Sequence, residues 1–508
     1  MKDKSKSMKD GNKKGIILKI TVFLAGAIVM IFELIGSRVV APYVGNSTFV
    51  WTSLIGVILA SLSLGYYVGG KLADKQYAFL AKLSLIILLS AWALLFTYLI
   101  KDIFLPISAI FFTKHLLQTL IVSLVLFFLA SFLLGMVSPY ALKLALSDLQ
   151  KSGSTAGSLY ALSTLGSILG TFLAGFFLIP ILGTNELLIS LTLLLSLLAL
   201  FISFRFFLAL KIMTIVLVML ILIFNFSFTK NNYLNNFVDV DTQYSRIWIF
   251  DREYEEDIIR VLLKDNVSHS GKFLNKDGLV FDYIKIYDLA TEIKKTEAEN
   301  SAITTLMVGG AAYTYPQYFL NKYDEAEMTV VEIDPKMTDL AKTYFNLDAS
   351  DKDLKIVHQD ARIFLSRNSQ KYDIIYGDAF SSHYSPPFHL TTYEALSDLK
   401  KALKPDGLAV INIISALEGD NSKFFAKEYN TLKKLFKEVI VFSVGERSSD
   451  QVKNIILLCT DNEKLDKSTI ETIVKKYPAS IYSVDNLAFS GILTDNFAPV
   501  EYYGLKTN

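Results

Sequence analysis

Met328-Thr329-Val330-Val331-Glu332-Ile333-Asp334-Pro335 is a run of apolar β-formers that ends in an acid. Upstream, Ile303-Thr304-Thr305-Leu306-Met307-Val308 runs into Gly309-Gly310. Strand, glycine turn, helix, strand and acid, in that order, lay out a nucleotide-binding βαβ unit. The glycines let the backbone approach the ligand, and Glu332 is placed for ribose hydroxyls. Two more strand ends follow, at His358-Gln359-Asp360-Ala361 and Tyr376-Gly377-Asp378-Ala379. Acids at the ends of three successive strands line one edge of one sheet, which is where open α/β folds bind ligands.

The rest of the chain is of a different kind. Its 508 residues exceed one ordinary domain, and 52% hydrophobic against 19% charged points to a membrane part. Residues 1–228 hold 17 Lys+Arg and 7 Asp+Glu, leaving 33 basic and 42 acidic residues in 229–508, a net charge near −9. An acidic soluble part argues against nucleic acid and suits a cationic substrate. Cys459 is the only cysteine, so an internal disulfide framework and a Cys-cluster metal site are excluded.

Apolar stretches long enough to span a bilayer lie near 16–36, 48–70, 79–100, 116–137, 157–182, 186–204 and 206–228. They follow a basic tail, 1–15, expected to be cytoplasmic, and the first is too long for a cleaved signal peptide. Residues 103–113 are apolar but short, and only Arg205 separates the last pair. The lysines before the first span, Lys71 and Lys75 after the second, and Lys143 and Lys151 after the fourth fall on one side if the N-terminus is cytoplasmic. Seven spans would then put the C-terminal part outside. A domain using a cytosolic nucleotide belongs inside, so one segment is expected to be miscounted. Glu33 in the first span reads as a cation site or as an interfacial acid paired with Arg38 or another helix. Gly166 and Gly170 have helix-packing spacing.

After an Asn-rich linker (229–236), alternating strands occupy about 237–285, ahead of the α/β part at 286–508. A small β subdomain before such a core resembles the spermidine synthase family of polyamine aminopropyltransferases, over roughly 240–460. The N-terminal half resembles the membrane portion of bacterial proteins that fuse such a domain to a transporter-like bundle, and Gly69-Gly70-Lys71-Leu72-Ala73-Asp74-Lys75 resembles a major-facilitator loop. The expected fold is therefore a multi-pass helical membrane domain, a small β subdomain and a doubly wound, methyltransferase-like Rossmann domain.

The resemblance assigns roles. Gly309, Gly310, Glu332, Asp360, Ala361 and Pro386 hold the adenosyl group, and Asp378 is the general base that relieves the attacking amine of its proton. Ser245, Tyr287, Asp288 and Ser381 are candidates on the amine side. The family's Gly-Gly-Gly-Asp-Gly loop is here Gly309-Gly310-Ala311-Ala312-Tyr313, so Ala312 stands where an acid binds the donor's ammonium, and Ser381 stands where the family has a second acid. His383 and His389 of the following loop are equally readable as replacements or as surface residues. Implied are decarboxylated S-adenosylmethionine as co-substrate, no permanently bound cofactor and no metal, a putrescine-like amine, a lipid bilayer and a homodimer. S-adenosylmethionine-dependent methyl transfer, or a transporter with a nucleotide-sensing domain, are the alternatives.

Overall fold

The computed structural model describes the chain outside residues 1, 76–78, 113, 147–148, 233–236, 298–301, 380–385, 464, 466, 485–486, 488 and 505–508. It divides into two compact units, residues 1–235 with 240–246, and residues 236–239 with 247–508.

The first unit is helical. Its elements are α1 (Lys2–Val44), α2 (Thr48–Lys75), α3 (Leu80–Phe111), α4 (His115–Gly135), α5 (Val137–Ala145), α6 (Ser152–Leu173), α7 (Ile179–Ile181), α8 (Thr184–Ile202) and α9 (Leu208–Asn232). A π-helical turn, Ala174–Leu178, joins α6 to α7. Seven stretches of the described residues are long and apolar enough to cross a membrane. The 103–113 segment is no extra span: its residues to Phe111 continue α3, through Pro106. The last pair is two helices, α8 and α9. Both ambiguities thus resolve toward seven long apolar helices among the described residues.

Glycines set the α1–α6 approach. A Cβ on Gly166 would lie 2.0 Å from Phe23 O, and one on Gly170 would lie 2.5 Å from Ala27 O. Only glycine lets two helix backbones touch in this way. The Arg38 guanidinium donates to the Thr242 carbonyl at 2.8 Å and to that of Gln243. Glu33 itself is half-buried in α1.

The second unit starts with an antiparallel sheet, β1 (Phe237–Asp241), β2 (Arg246–Tyr254), β3 (Asp257–Lys264) and β4 (Val267–Phe273). α10 (Asp282–Lys285) and α11 (Tyr287–Glu297) follow. The α/β core then alternates β5 (Ile303–Val308), α12 (Thr314–Lys322), β6 (Ala326–Glu332), α13 (Pro335–Tyr344), β7 (Leu354–His358), α14 (Ala361–Arg367), β8 (Tyr372–Gly377), α15 (Tyr393–Lys401) and β9 (Leu403–Ser415). It closes with α16 (Lys423–Leu435), β10 (Glu438–Val444), β11 (Lys453–Thr460), α17 (Lys467–Val474), β12 (Ala479–Tyr482) and α18 (Val500–Gly504). The sheet order is β12-β10-β11-β9-β8-β5-β6-β7. β7 through β9 pair in parallel, and β10, β11 and β12 join antiparallel.

The central parallel strands β5, β6 and β8 are largely buried on both faces, so their sequences are mostly apolar runs rather than alternating ones, while the edge strand β7 is partly exposed. One face packs Met307, Tyr376 and Val410 under Tyr287 and Tyr315. The other packs Leu306, Ile375 and Ile411 under α14, α15 and α16. The chain reverses direction across the sheet at β5, whose neighbours are β6 and β8. That switch point is where such sheets open a ligand crevice at their carboxyl ends.

Candidate active site

The switch point is built from two strand ends in contact. Asp378 N–H donates to the Val308 carbonyl at 2.9 Å, and Gly309 N–H to that of Val331 at 2.9 Å. Gly309 has φ +95°, and a Cβ there would lie 2.5 Å from the Asp378 carbonyl oxygen. No other residue fits. The loop then turns through Ala311 (φ +45°) and Tyr313 (φ +56°), left-handed positions that cost a non-glycine residue on the order of 1 kcal/mol each.

Glu332 holds that loop. Its Oε2 accepts from Gly310 N–H at 2.9 Å and Ala311 N–H at 3.1 Å, and its Oε1 accepts from Asp334 N–H at 3.0 Å. A carboxylate offers about four acceptor positions, so three are already taken by backbone. Pairing with ribose hydroxyls alone does not describe this residue: it first shapes the glycine loop. Behind the loop, buried Tyr313 bonds Thr338 at 2.7 Å, which bonds His358 Nε2 at 2.9 Å. Ala312 is fully buried, and its N–H donates to Ser270 Oγ of β4 at 3.1 Å.

Asp360 is the N-cap of α14, its Oδ1 accepting from Ile363 N–H at 3.1 Å. Its Oδ2 lies 3.5 Å from His389 Nε2. Ala361 and Pro386 are buried. Ser381 and His383 lie outside the described residues.

Asp378 sits at the end of β8. Its Oδ1 accepts from Asn412 Nδ2 of β9 at 2.8 Å. Burial pushes its carboxyl above the usual range, opposed by the Asn412 amide and the Tyr287 hydroxyl. Tyr287 is fully buried, and its hydroxyl makes no well-formed hydrogen bond although it lies close enough to feel the Asp378 charge. Asn412 Oδ1 is likewise buried without a partner. Tyr283 also feels Asp378. Two unsatisfied polar atoms therefore flank a half-buried carboxyl, a surrounding suited to a ligand that carries N–H groups. Beneath them, Tyr376 bonds Thr291 at 2.9 Å and Tyr315 at 3.0 Å, which fixes the aromatic floor.

Asp288 does not join this group. Consecutive residues on a helix diverge by about 100°, so Tyr287 faces Asp378 while Asp288 faces away. Its Oδ1 accepts from Tyr323 Oη at 2.5 Å, and Oδ2 takes Lys322. Lys322 at the end of α12 and Tyr323 just after it engage that carboxylate on the side away from Asp378, unlike the amine-side position expected for it. Ser245 clusters with the helical unit, and its hydroxyl is buried without a partner.

Sequence reasoning missed Asn412, Tyr283 and Ser270. Asn412 left a signal: it is the lone polar residue within Leu408-Ala409-Val410-Ile411-Asn412-Ile413-Ile414, a strand otherwise wholly apolar.

A parallel sheet of this order, with a glycine loop after one strand and an acid after the next, defines a methyltransferase-like Rossmann domain. Within it, residues 304–464 match the spermine/spermidine synthase domain. The C-terminal part thus carries a spermine/spermidine synthase domain, which makes it a transferase domain. The chain is 29% identical over 208 residues to a polyamine aminopropyltransferase of Vibrio vulnificus (38% of this chain, 67% of that protein). It is 28% identical over 226 residues to a probable polyamine aminopropyl transferase of Bifidobacterium longum, covering 41% of this chain and only half of that protein. A third relative, polyamine aminopropyltransferase 2 of Aquifex aeolicus, is 24% identical over 433 residues, 77% of this chain and 78% of that protein.

Proposed function

We propose that the C-terminal domain transfers the aminopropyl group of decarboxylated S-adenosylmethionine to putrescine or a related amine, held at a membrane by the helical half. The observation that carries this reading is Asp378: a half-buried carboxyl at the switch point, backed by Asn412 and touching the loop that would hold the adenosyl group. The amine nitrogen attacks the carbon next to the sulfonium. An N–C bond forms, the C–S bond breaks, and its electron pair neutralises sulfur, releasing methylthioadenosine. The nitrogen sheds a proton, which Asp378 accepts. An amine of pKa about 10 arrives protonated at neutral pH, so Asp378 takes that one proton to free the lone pair for attack, and the secondary amine leaves as its ammonium. The seven long apolar helices support the membrane location. Product analysis of the full-length protein, given decarboxylated or ordinary S-adenosylmethionine with a panel of amines, tests the reading. Methylthioadenosine with an aminopropylated amine is expected; S-adenosylhomocysteine with a methylated product would replace it.

Ala312 favours that second, methyl-transferring reading, because no carboxylate at this loop position meets the donor's ammonium. Ala312→Asp should move binding preference toward the decarboxylated donor by about 1–3 kcal/mol. Because Ala312 is wholly buried, the new carboxylate should also lower the melting temperature of the free protein, and the decarboxylated donor should restore it. Competition binding and thermal melts read both. A wild type that already prefers the decarboxylated donor by several orders of magnitude would count against the argument.

A further inference from the structure

α16 carries an acid that the chemistry above does not use. Glu428 is 1% exposed, and its Oε2 is buried with no hydrogen-bond partner. Helical spacing explains its place: Phe424, Phe425, Glu428, Thr431 and Leu432 form the buried stripe of α16. An otherwise lysine-rich helix thus turns one carboxyl inward among its phenylalanines. Desolvation alone pushes that carboxyl well above the usual range.

Glu428 lines a small cavity of about 40 Å³ whose other walls are mostly aliphatic: Leu365 of α14, Leu396 and Leu399 of α15, and Ile411 of β9. Its roof is Gly377 and Ala379, the residues on either side of Asp378. Side chains alternate across a strand, so Asp378 and Asn412 face the opposite side of the sheet, and the cavity lies behind the base. Such a volume holds roughly three water-sized groups.

The lining selects a ligand. An anion meets no cation in this lining, and its hydroxyl, that of Thr391, already donates to the Phe388 carbonyl at 2.9 Å. A divalent metal needs several oxygen ligands, and one carboxyl is present. An alkylammonium fits both features, its head to the carboxyl and its methylenes to the leucines. We propose that this cavity is a second amine site, taking the ammonium and first two methylenes of a primary alkylamine against Glu428, behind the strand that ends in Asp378. It rests on the proposed function only for the class of ligand the protein would meet. Glu428 gives up its proton to solvent as the ammonium enters, so binding releases a proton.

The test uses full-length Asp378→Asn protein, in which the base is disabled, titrated calorimetrically with ethylamine in two buffers of different ionisation enthalpy. Binding with proton release is expected. Adding Glu428→Gln should weaken it by at least about tenfold. Glu428→Met should abolish it by filling the cavity, while raising the melting temperature and leaving methylthioadenosine binding unchanged, which shows that this variant folds. Equal ethylamine affinity in all three proteins, or a crystal soaked in ethylamine that shows only a water on Glu428, overturns the proposal. Ethylamine binding by the variant, with no aminopropyl transfer to any amine by the wild type, would sink the proposed function and leave this site standing; wild-type transfer without ethylamine binding by the variant would do the reverse.

Discussion

Asp378→Asn is expected to lower turnover by about 10²- to 10⁴-fold, the range a positioned general base supplies, while methylthioadenosine affinity stays within a few-fold. The amide keeps the shape and can still meet Asn412, so the strand end should survive. What it cannot do is take a proton. The pH profile gives an independent reading. Burial holds the Asp378 carboxyl above its ordinary range, so the acid limb of kcat should lie above the value of about 3.9 typical of an unperturbed Asp. The sign follows from the role: the ionised form works, so the rate is full above the raised pKa and falls as pH drops through it. Asp378→Asn should remove that limb from whatever activity is left. A variant turning over at wild-type speed would make Asp378 a structural residue and place the base elsewhere.

Glu332→Ala should weaken methylthioadenosine binding by at least about 100-fold, more than loss of a ribose contact alone. Hydrogen bonds to a charged group contribute about 1.5–3 kcal/mol each, and three backbone N–H groups depend on this carboxylate. Removing it strands buried donors in a loop that already holds Ala311 and Tyr313 at positive φ. The melting temperature should fall as well. Glu332→Gln separates the two contributions, since its one carbonyl oxygen can serve Gly310 and Ala311 but its NH₂ cannot accept from Asp334. Calorimetry on the three proteins should give wild type, Gln and Ala in descending affinity. Ala binding as tightly as wild type would mean the loop is held by its packing on Tyr313.

Legibility followed range. The strand-to-loop junctions were readable because a buried parallel strand announces itself as an apolar run, and glycine or an acid at its end breaks that run: Val308-Gly309, Glu332 and Asp378 all show it. The seven long apolar stretches were readable from length and hydropathy, but not α5 as a separate helix, nor that 103–111 continues α3. Direction was not readable. Tyr287 and Asp288 are adjacent in sequence, and only the rotation of α11 decides that one faces Asp378 while the other is consumed by Tyr323 and Lys322. Nor was Glu332's attachment to the loop, which depends on backbone N–H groups carrying no side-chain signature. Glu428 was hidden for the opposite reason: in a helix full of lysines an acid reads as surface, and only the phenylalanines beside it turn inward to show that it does not stay there.

The contact between Gly309 and the carbonyl of Asp378 bears on how this site can be altered. The hinge of the proposed donor loop and the backbone of the proposed base occupy the same few ångströms, with no room for even one added carbon. Donor choice and proton transfer are therefore not separable dials. Any residue that reshapes the loop at Gly309 moves the proposed base with it, so redesign of donor preference has to enter farther along, as at Ala312, where the wholly buried position exacts a cost in stability instead.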